Sequence, residues 1–202
     1  MKKEILFIIL DKFADWEGAY IAPSLNFGPE PGVESRYTVK TVSITKAPVM
    51  SCGGFSVVPD YSIDTIPENY EGIVLIGGMS WFTQESTQIV PLIKDALEKN
   101  KLVAGICNAS VFLGMHGFLN NVKHTSNAAD YIKAFAGPDY TGEALYTNEA
   151  ATRDGKIVTA NGLSALEFTR EILYAIEAYS PEMIEKIYRV YKTGIWEVPE
   201  AK

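Results

Sequence analysis

Three short runs in this chain carry apolar or small residues at nearly every position, and that limits the folds open to it. They are Ile5 to Leu10 (ILFIIL), Gly72 to Ile76 (GIVLI) and Lys101 to Ile106 (KLVAGI). A strand with one face in water alternates polar and apolar residues, whereas one apolar on both faces must be covered on both. Helix-length segments separate the runs. Within 86–100, Ile89, Leu92, Ile93, Ala96 and Leu97 fall on one face at helical spacing. The expectation is one α/β domain over 1–202, with a doubly wound, mostly parallel sheet and helices on both faces.

The remaining elements fill in around that frame. A helix is expected from Asp15 or Trp16 toward Phe27, bent or shortened by Pro23. A Pro/Gly-rich surface turn follows over 26–32. Arg36 to Thr45 alternates and is β-branched, so it reads as the second strand. The segment 47–59 reads as a hairpin around Cys52-Gly53-Gly54, with Cys52 structural. The stretch 127–135 is expected to be helical, and Asp154-Gly155 marks a hairpin between 149–153 and 156–159. Ser164 and Glu167 have capping-box spacing at the start of a helix through Tyr179. Pro181 suits the first turn of a final helix.

Composition narrows the function classes. The 202 residues are 47% hydrophobic and carry a net charge of −7. That charge argues against nucleic acid or an anionic membrane as partner. Ile5 to Leu10 is too short for a membrane span or a signal core, so a cytoplasmic location is expected. Two cysteines do not make a disulfide framework. Only His116 and His124 are present, and neither lies in a metal-ligand spacing. No cofactor and no metal are expected.

The stretch KLVAGICNASVFLGMHG, from Lys101 to Gly117, holds the candidate chemistry. An apolar strand runs to Ile106, Cys107 follows at once, and Asn108 to Gly117 reads as a helix. Gly105 and Ala109 flank the cysteine at two residues' distance, the small-x-Cys-x-small pattern that a sharp strand-to-helix elbow requires. The sulfur would lie over a helix N-terminus, where unpaired N–H groups favour thiolate over thiol. The alternative is a buried cysteine packing as a small hydrophobe. In an open α/β sheet, ligands lie beyond the carboxyl ends of the strands. Three loops reach that edge: Asp15-Trp16-Glu17, Gly77-Gly78 with Trp81, and Cys107-Asn108.

The segments FADWEGAYIAP, IVLIGGMSW and LVAGICNAS, in that order, resemble the ThiJ/PfpI superfamily. That group includes PfpI-type intracellular proteases and the parkinsonism-associated deglycase, and the resemblance runs over essentially the whole chain. It implies a flavodoxin-like fold related to class I glutamine amidotransferases, and homodimers or larger assemblies. It also implies that Cys107 is the nucleophile, that Glu17 contacts its sulfur, and that the Gly77 and Gly78 amides face the cysteine. Two positions depart from the family. PfpI-type proteases carry histidine directly after the cysteine, where this chain has Asn108. Other members bring a histidine from the segment after the elbow helix, where HTSNAAD has Asn127, with His124 three residues earlier. His116, at the end of the elbow helix, reads as structural. A glutamine amidotransferase would carry a late histidine, and none follows His124.

Hydrolysing an amide through a thiol requires a proton for the leaving amine, normally from histidine. Asparagine donates and accepts hydrogen bonds but does not shuttle protons. The reading is therefore a cysteine-dependent enzyme for a small carbonyl or amide compound. Cys107 attacks, Glu17 serves as acid/base with its pKa raised by burial, and the Gly77 and Gly78 amides, with Asn108 beside them, face the oxyanion. Trp16, Trp81, His124 and Asn127 are candidates to line the pocket. A cysteine oxidised to sulfinate as a redox sensor, a non-catalytic binding module, and the intracellular protease or amidase that the resemblance implies are the alternatives.

Overall fold

The computed structural model describes residues 2–29 and 34–195. Among the described residues, nine strands and six α-helices follow one another. The strands are β1 (Lys3–Ile8), β2 (Tyr37–Ser43), β3 (Val49–Met50), β4 (Ser56–Val57), β5 (Tyr61–Ser62), β6 (Gly72–Leu75), β7 (Leu102–Ile106), β8 (Ala151–Asp154) and β9 (Ile157–Ala160). The helices are α1 (Ile21–Asn26), α2 (Val90–Glu98), α3 (Asn108–Met115), α4 (Ala129–Ala136), α5 (Ala165–Ala175) and α6 (Pro181–Thr193). Seven strands form one sheet in the order β5-β2-β1-β6-β7-β9-β8, parallel throughout except for the β8–β9 hairpin. The β3–β4 hairpin is a separate two-stranded ribbon around Cys52, as its turn residues predict. This is the flavodoxin-like arrangement that the apolar runs and the resemblance imply.

The period of two along each strand divides the core into two layers. Ile5, Phe7, Val74, Ala104 and Ile106 face Ile21 and Leu25 of α1, Phe168 and Ile172 of α5 and Ile184 of α6. Leu6, Ile8, Ile73, Leu75 and Val103 face Ile93 of α2, Phe112 and Leu113 of α3 and Ile132 of α4. Helices therefore cover both faces, which is why β6, β7 and β1 from Ile5 onward carry no polar side chain.

Several local expectations change. The helix expected from Asp15 is two pieces, a 3-10 turn over Asp15–Gly18 and then α1 from Ile21. The helix expected over 86–100 opens with a 3-10 segment, Gln84–Ile89, and becomes α-helical only at Val90. The edge strand β5 carries no sequence signal that its two residues could have displayed. The capping box at Ser164 does not form. Ser164 Oγ donates to Asn161 Oδ1 (3.0 Å), while Glu167 accepts from Tyr188 and Lys192 of α6 (2.9 and 2.8 Å). A charged partner on a packed neighbour outcompetes a local cap. At Ser180 the side chain does accept from Met183 N–H, capping α6. The turn expected over 26–32 lies partly outside the described residues. Its first residue, Asn26, accepts from Val39 N–H through Oδ1 at 2.9 Å.

The elbow between β7 and α3 is as tight as the small flanking residues imply. A Cβ added at Gly105 would lie 2.8 Å from Leu113 Cδ1 and 3.3 Å from the Ala109 carbonyl oxygen. Gly105→Ala is expected to lower unfolding free energy by about 1–3 kcal/mol, the usual cost of overpacking, read by urea denaturation.

Candidate active site

Cys107 is the N-cap residue of α3, at φ 56° and ψ −129°. A side-chain-bearing residue with positive φ is sterically strained, at a cost on the order of 1–3 kcal/mol. The surroundings hold it there. Its N–H donates to the Ala160 carbonyl at the end of β9 (3.0 Å), and its own carbonyl accepts from Ser110 Oγ (2.6 Å). The thiol is thereby aimed past the carboxyl ends of the strands, and the residue stays partly exposed.

Glu17 arrives from the 3-10 turn after β1 and is fully buried. One carboxyl oxygen, Oε2, accepts from Gly77 N–H at 2.6 Å. The other, Oε1, is buried with no hydrogen-bond partner among the described residues. The carboxyl and the Cys107 thiol lie close enough for each to shift the other's ionisation. Two glycines make room for this approach. A Cβ on Gly77 would meet Glu17 Oε2 at 2.5 Å and Cys107 Cβ at 2.7 Å. One on Gly162, just beyond β9, would meet Cys107 Sγ at 2.8 Å and Glu17 Oε1 at 3.3 Å.

The electrostatics correct one expectation. The thiol is not acidic: burial and the neighbouring Glu17 carboxylate push it up to about 11, outweighing the N–H groups of Asn108 and Asn127 that favour the thiolate. Burial likewise raises Glu17 to about 7, against the opposing pull of Gly77 N–H. Burial disfavours both charges and the Glu17 carboxylate further disfavours the thiolate, so between those values the pair holds a single proton.

The polar wall opposite Glu17 is built from Asn108, Asn127 and Tyr131. Asn127 accepts from Gly162 N–H through Oδ1 (3.0 Å), and its Nδ2 approaches Cys107 Sγ at 3.5 Å. Asn108 Nδ2 donates to the Gly78 carbonyl (3.2 Å), while its Oδ1 accepts from Tyr131 Oη at 3.0 Å. Trp16 stands at the rim, half-exposed, with Nε1 donating to the Gly162 carbonyl at 2.7 Å.

Three sequence candidates sit elsewhere than expected or are otherwise engaged. Trp81 is no pocket wall: it is buried against Phe112, with Nε1 donating to the Ile76 carbonyl at 2.6 Å. A buried indole N–H needs an acceptor, and the strand end supplies it. His124 is fully buried, with its ring nitrogens 2.8 Å from the Val122 carbonyl and 2.7 Å from Tyr140 Oη, so it does not face the sulfur. The N–H of Gly77 is committed to Glu17 and is not free for an oxyanion. His116 closes α3 at the end remote from Cys107. Sequence reasoning missed Gly162 and Tyr131. Gly162 follows a strand end at the same sheet edge as Gly77, a signal that could have found it, whereas nothing in the sequence marks Tyr131.

A carboxyl whose folded pKa lies above its ordinary 4.5 binds a proton in the folded state that the unfolded chain has released. The associated stability is fully present below about pH 4.5 and is lost as pH rises to about 7. The loss is on the order of 3 kcal/mol. Comparing urea unfolding at pH 5 and pH 7.5, Glu17→Gln is expected to lose less stability over that interval than the parent protein.

Comparison with known proteins agrees with this architecture. The model of the DJ-1/PfpI family matches residues 3–175. The uncharacterized protease YdeA of Bacillus subtilis is 38% identical over 194 residues, which are 96% of this chain and 93% of that one. The crystal structure of the DJ-1 superfamily protein Atu0886 from Agrobacterium tumefaciens superimposes with a TM-score of 0.83 at 34% identity, covering 95% of this chain and 98% of that one. A thiJ/pfpI family protein from Bacillus anthracis gives a TM-score of 0.89 at 31% identity over 96% and 92% of the two chains. A strand-to-helix elbow bearing Cys107 at β7–α3, a buried glutamate from the first loop and this fold thus occur together in a chain that belongs to the DJ-1/PfpI family.

Proposed function

We propose that the protein is a cysteine-dependent enzyme acting on a small carbonyl or amide compound, with Cys107 as nucleophile and Glu17 as its proton partner. The observation that carries the reading is the unpartnered Oε1 of Glu17, buried under Gly162 beside the sulfur. A carboxyl with pKa near 7 is well matched to general acid–base work near neutrality. In the proposed step the Glu17 carboxylate takes the thiol proton as the sulfur adds to a carbonyl carbon. The C–S bond forms, the C=O π pair moves to oxygen, and the same carboxyl returns its proton to that oxygen. Asn127 Nδ2 and the Gly78 amide are the donors proposed to face the oxygen.

Addition to an aldehyde or ketone is preferred here to cleavage of a peptide. An amide requires a proton for its departing nitrogen, and Asn108 stands where PfpI-type proteases carry histidine, Asn127 where other family members do. Two Bacillus subtilis relatives carry the name uncharacterized protease, which leaves amide substrates within the proposal. A second reading, a sensor whose Cys107 is oxidised by peroxide to a sulfinate, draws support from the same carboxyl: protonated, Glu17 would donate to a sulfinate oxygen. Homodimeric assembly and a cytoplasmic location complete the proposal. Among the described residues, no helix is long and apolar enough to cross a membrane.

Turnover of an aldehyde panel is expected to vanish in Cys107→Ala and to fall about 10²–10⁴-fold in Glu17→Gln, the range lost with a general acid–base group. Cys52→Ser is expected to leave it unchanged. With Glu17 acting as base, kcat/KM should rise as pH passes about 7. Stoichiometric sulfinate formation without turnover would favour the sensor.

A further inference from the structure

Asn127 reaches the sulfur with an N–H only because two backbone groups decide which way the site's amides point. Gly162 N–H requires an acceptor and takes Asn127 Oδ1 at 3.0 Å. The Nδ2 end of that amide is thereby turned toward Cys107 Sγ at 3.5 Å. The Gly78 carbonyl requires a donor and takes Asn108 Nδ2 at 3.2 Å, turning Asn108 Oδ1 the other way. That oxygen then collects two donors, Tyr131 Oη at 3.0 Å and Asn127 Nδ2 at 3.4 Å. The order of bonds from the phenol to the sulfur is thus Tyr131, Asn108, Asn127, Cys107.

We propose that Tyr131 is a positioning residue for Cys107: its hydroxyl fixes Asn108, which in turn holds Asn127 with an N–H directed at the sulfur. The geometry of the first member supports this. Tyr131 lies on α4 beside Ile132, which anchors the helix in the core. Its ring packs against Phe135 one turn along, with centroids 4.6 Å apart. The hydroxyl is therefore carried by a side chain already held by packing. Without it, Asn108 Oδ1 keeps only the long contact to Asn127, and Asn127 is steadied by Gly162 and that long contact. Ser110 and Ser126, 2.8 Å apart through their hydroxyls, join the first turn of α3 to the segment bearing Asn127. They keep the two asparagines in register.

The inference rests on Cys107 being the reacting group but not on any particular substrate, so it is tested without turnover. The probe is iodoacetamide, applied over a pH series to a Cys52→Ser background that removes the exposed second thiol. Tyr131→Phe keeps the ring and its contact with Phe135 and deletes only the hydroxyl. The alkylation midpoint is expected to rise by about half a pH unit, leaving about threefold less thiolate below it. The limiting rate at high pH should be unchanged. Asn127→Ala in the same background should raise the midpoint by more, and Tyr131→Phe added to it should do nothing further. Superimposable profiles for Tyr131→Phe and its parent would overturn the proposal. So would a reduced limiting rate with an unmoved midpoint, the mark of a purely structural effect. Absence of turnover in the parent protein would count against the proposed function and leave this profile readable.

Discussion

The Glu17 carboxyl, buried between Gly77 N–H and the Cys107 sulfur, is the interaction around which the site is arranged. A carboxyl taken wholly out of water is costly unless it is bonded or carries its proton. Here one oxygen is bonded and the other faces the thiol, so folding places a carboxyl and a thiol side by side and makes each reluctant to ionise. The strain at Cys107 belongs to the same arrangement. A relaxed backbone would carry the side chain along the sheet, whereas φ of 56° turns it across the strand ends toward Glu17.

The fold makes this affordable by bringing four loops to one edge. The turns after β1, β6, β7 and β9 supply Glu17, Gly77, Cys107 and Gly162. Backbone hydrogen bonds tie them together: Ala14 N–H to the Gly77 carbonyl at 3.0 Å, and Cys107 N–H to that of Ala160. The β3–β4 ribbon adds a brace, since Cys52 N–H donates to the Phe13 carbonyl at 2.8 Å. Because parallel strands end side by side, residues far apart in the chain meet without long excursions.

What could be read in the sequence is what short-range patterns control. Ile5, Phe7 and Val74 show their strands because both faces are covered, and Gly105-x-Cys107-x-Ala109 shows the elbow because sterics there are local. Other features depend on partners that no spacing specifies. Gly77 N–H goes to Glu17 instead of a substrate oxygen because a buried carboxylate is the stronger acceptor. The thiol pKa rises because Glu17 and Gly162 cover the sulfur, and that desolvation outweighs the end of α3. Trp81 turns inward to give its N–H to Ile76, and Glu167 leaves its cap for Lys192. His124 and Asn127 are three residues apart, yet one is sealed against Tyr140 and the other opens on the sulfur.

The central claim is that Glu17 keeps its proton to near neutrality because of where it lies. Selective ¹³C labelling of glutamate and NMR titration of the Glu17 carboxyl carbon, assigned by its loss in Glu17→Gln, measures this directly. The account predicts a midpoint near 7. A midpoint at the ordinary value near 4.5 would contradict it.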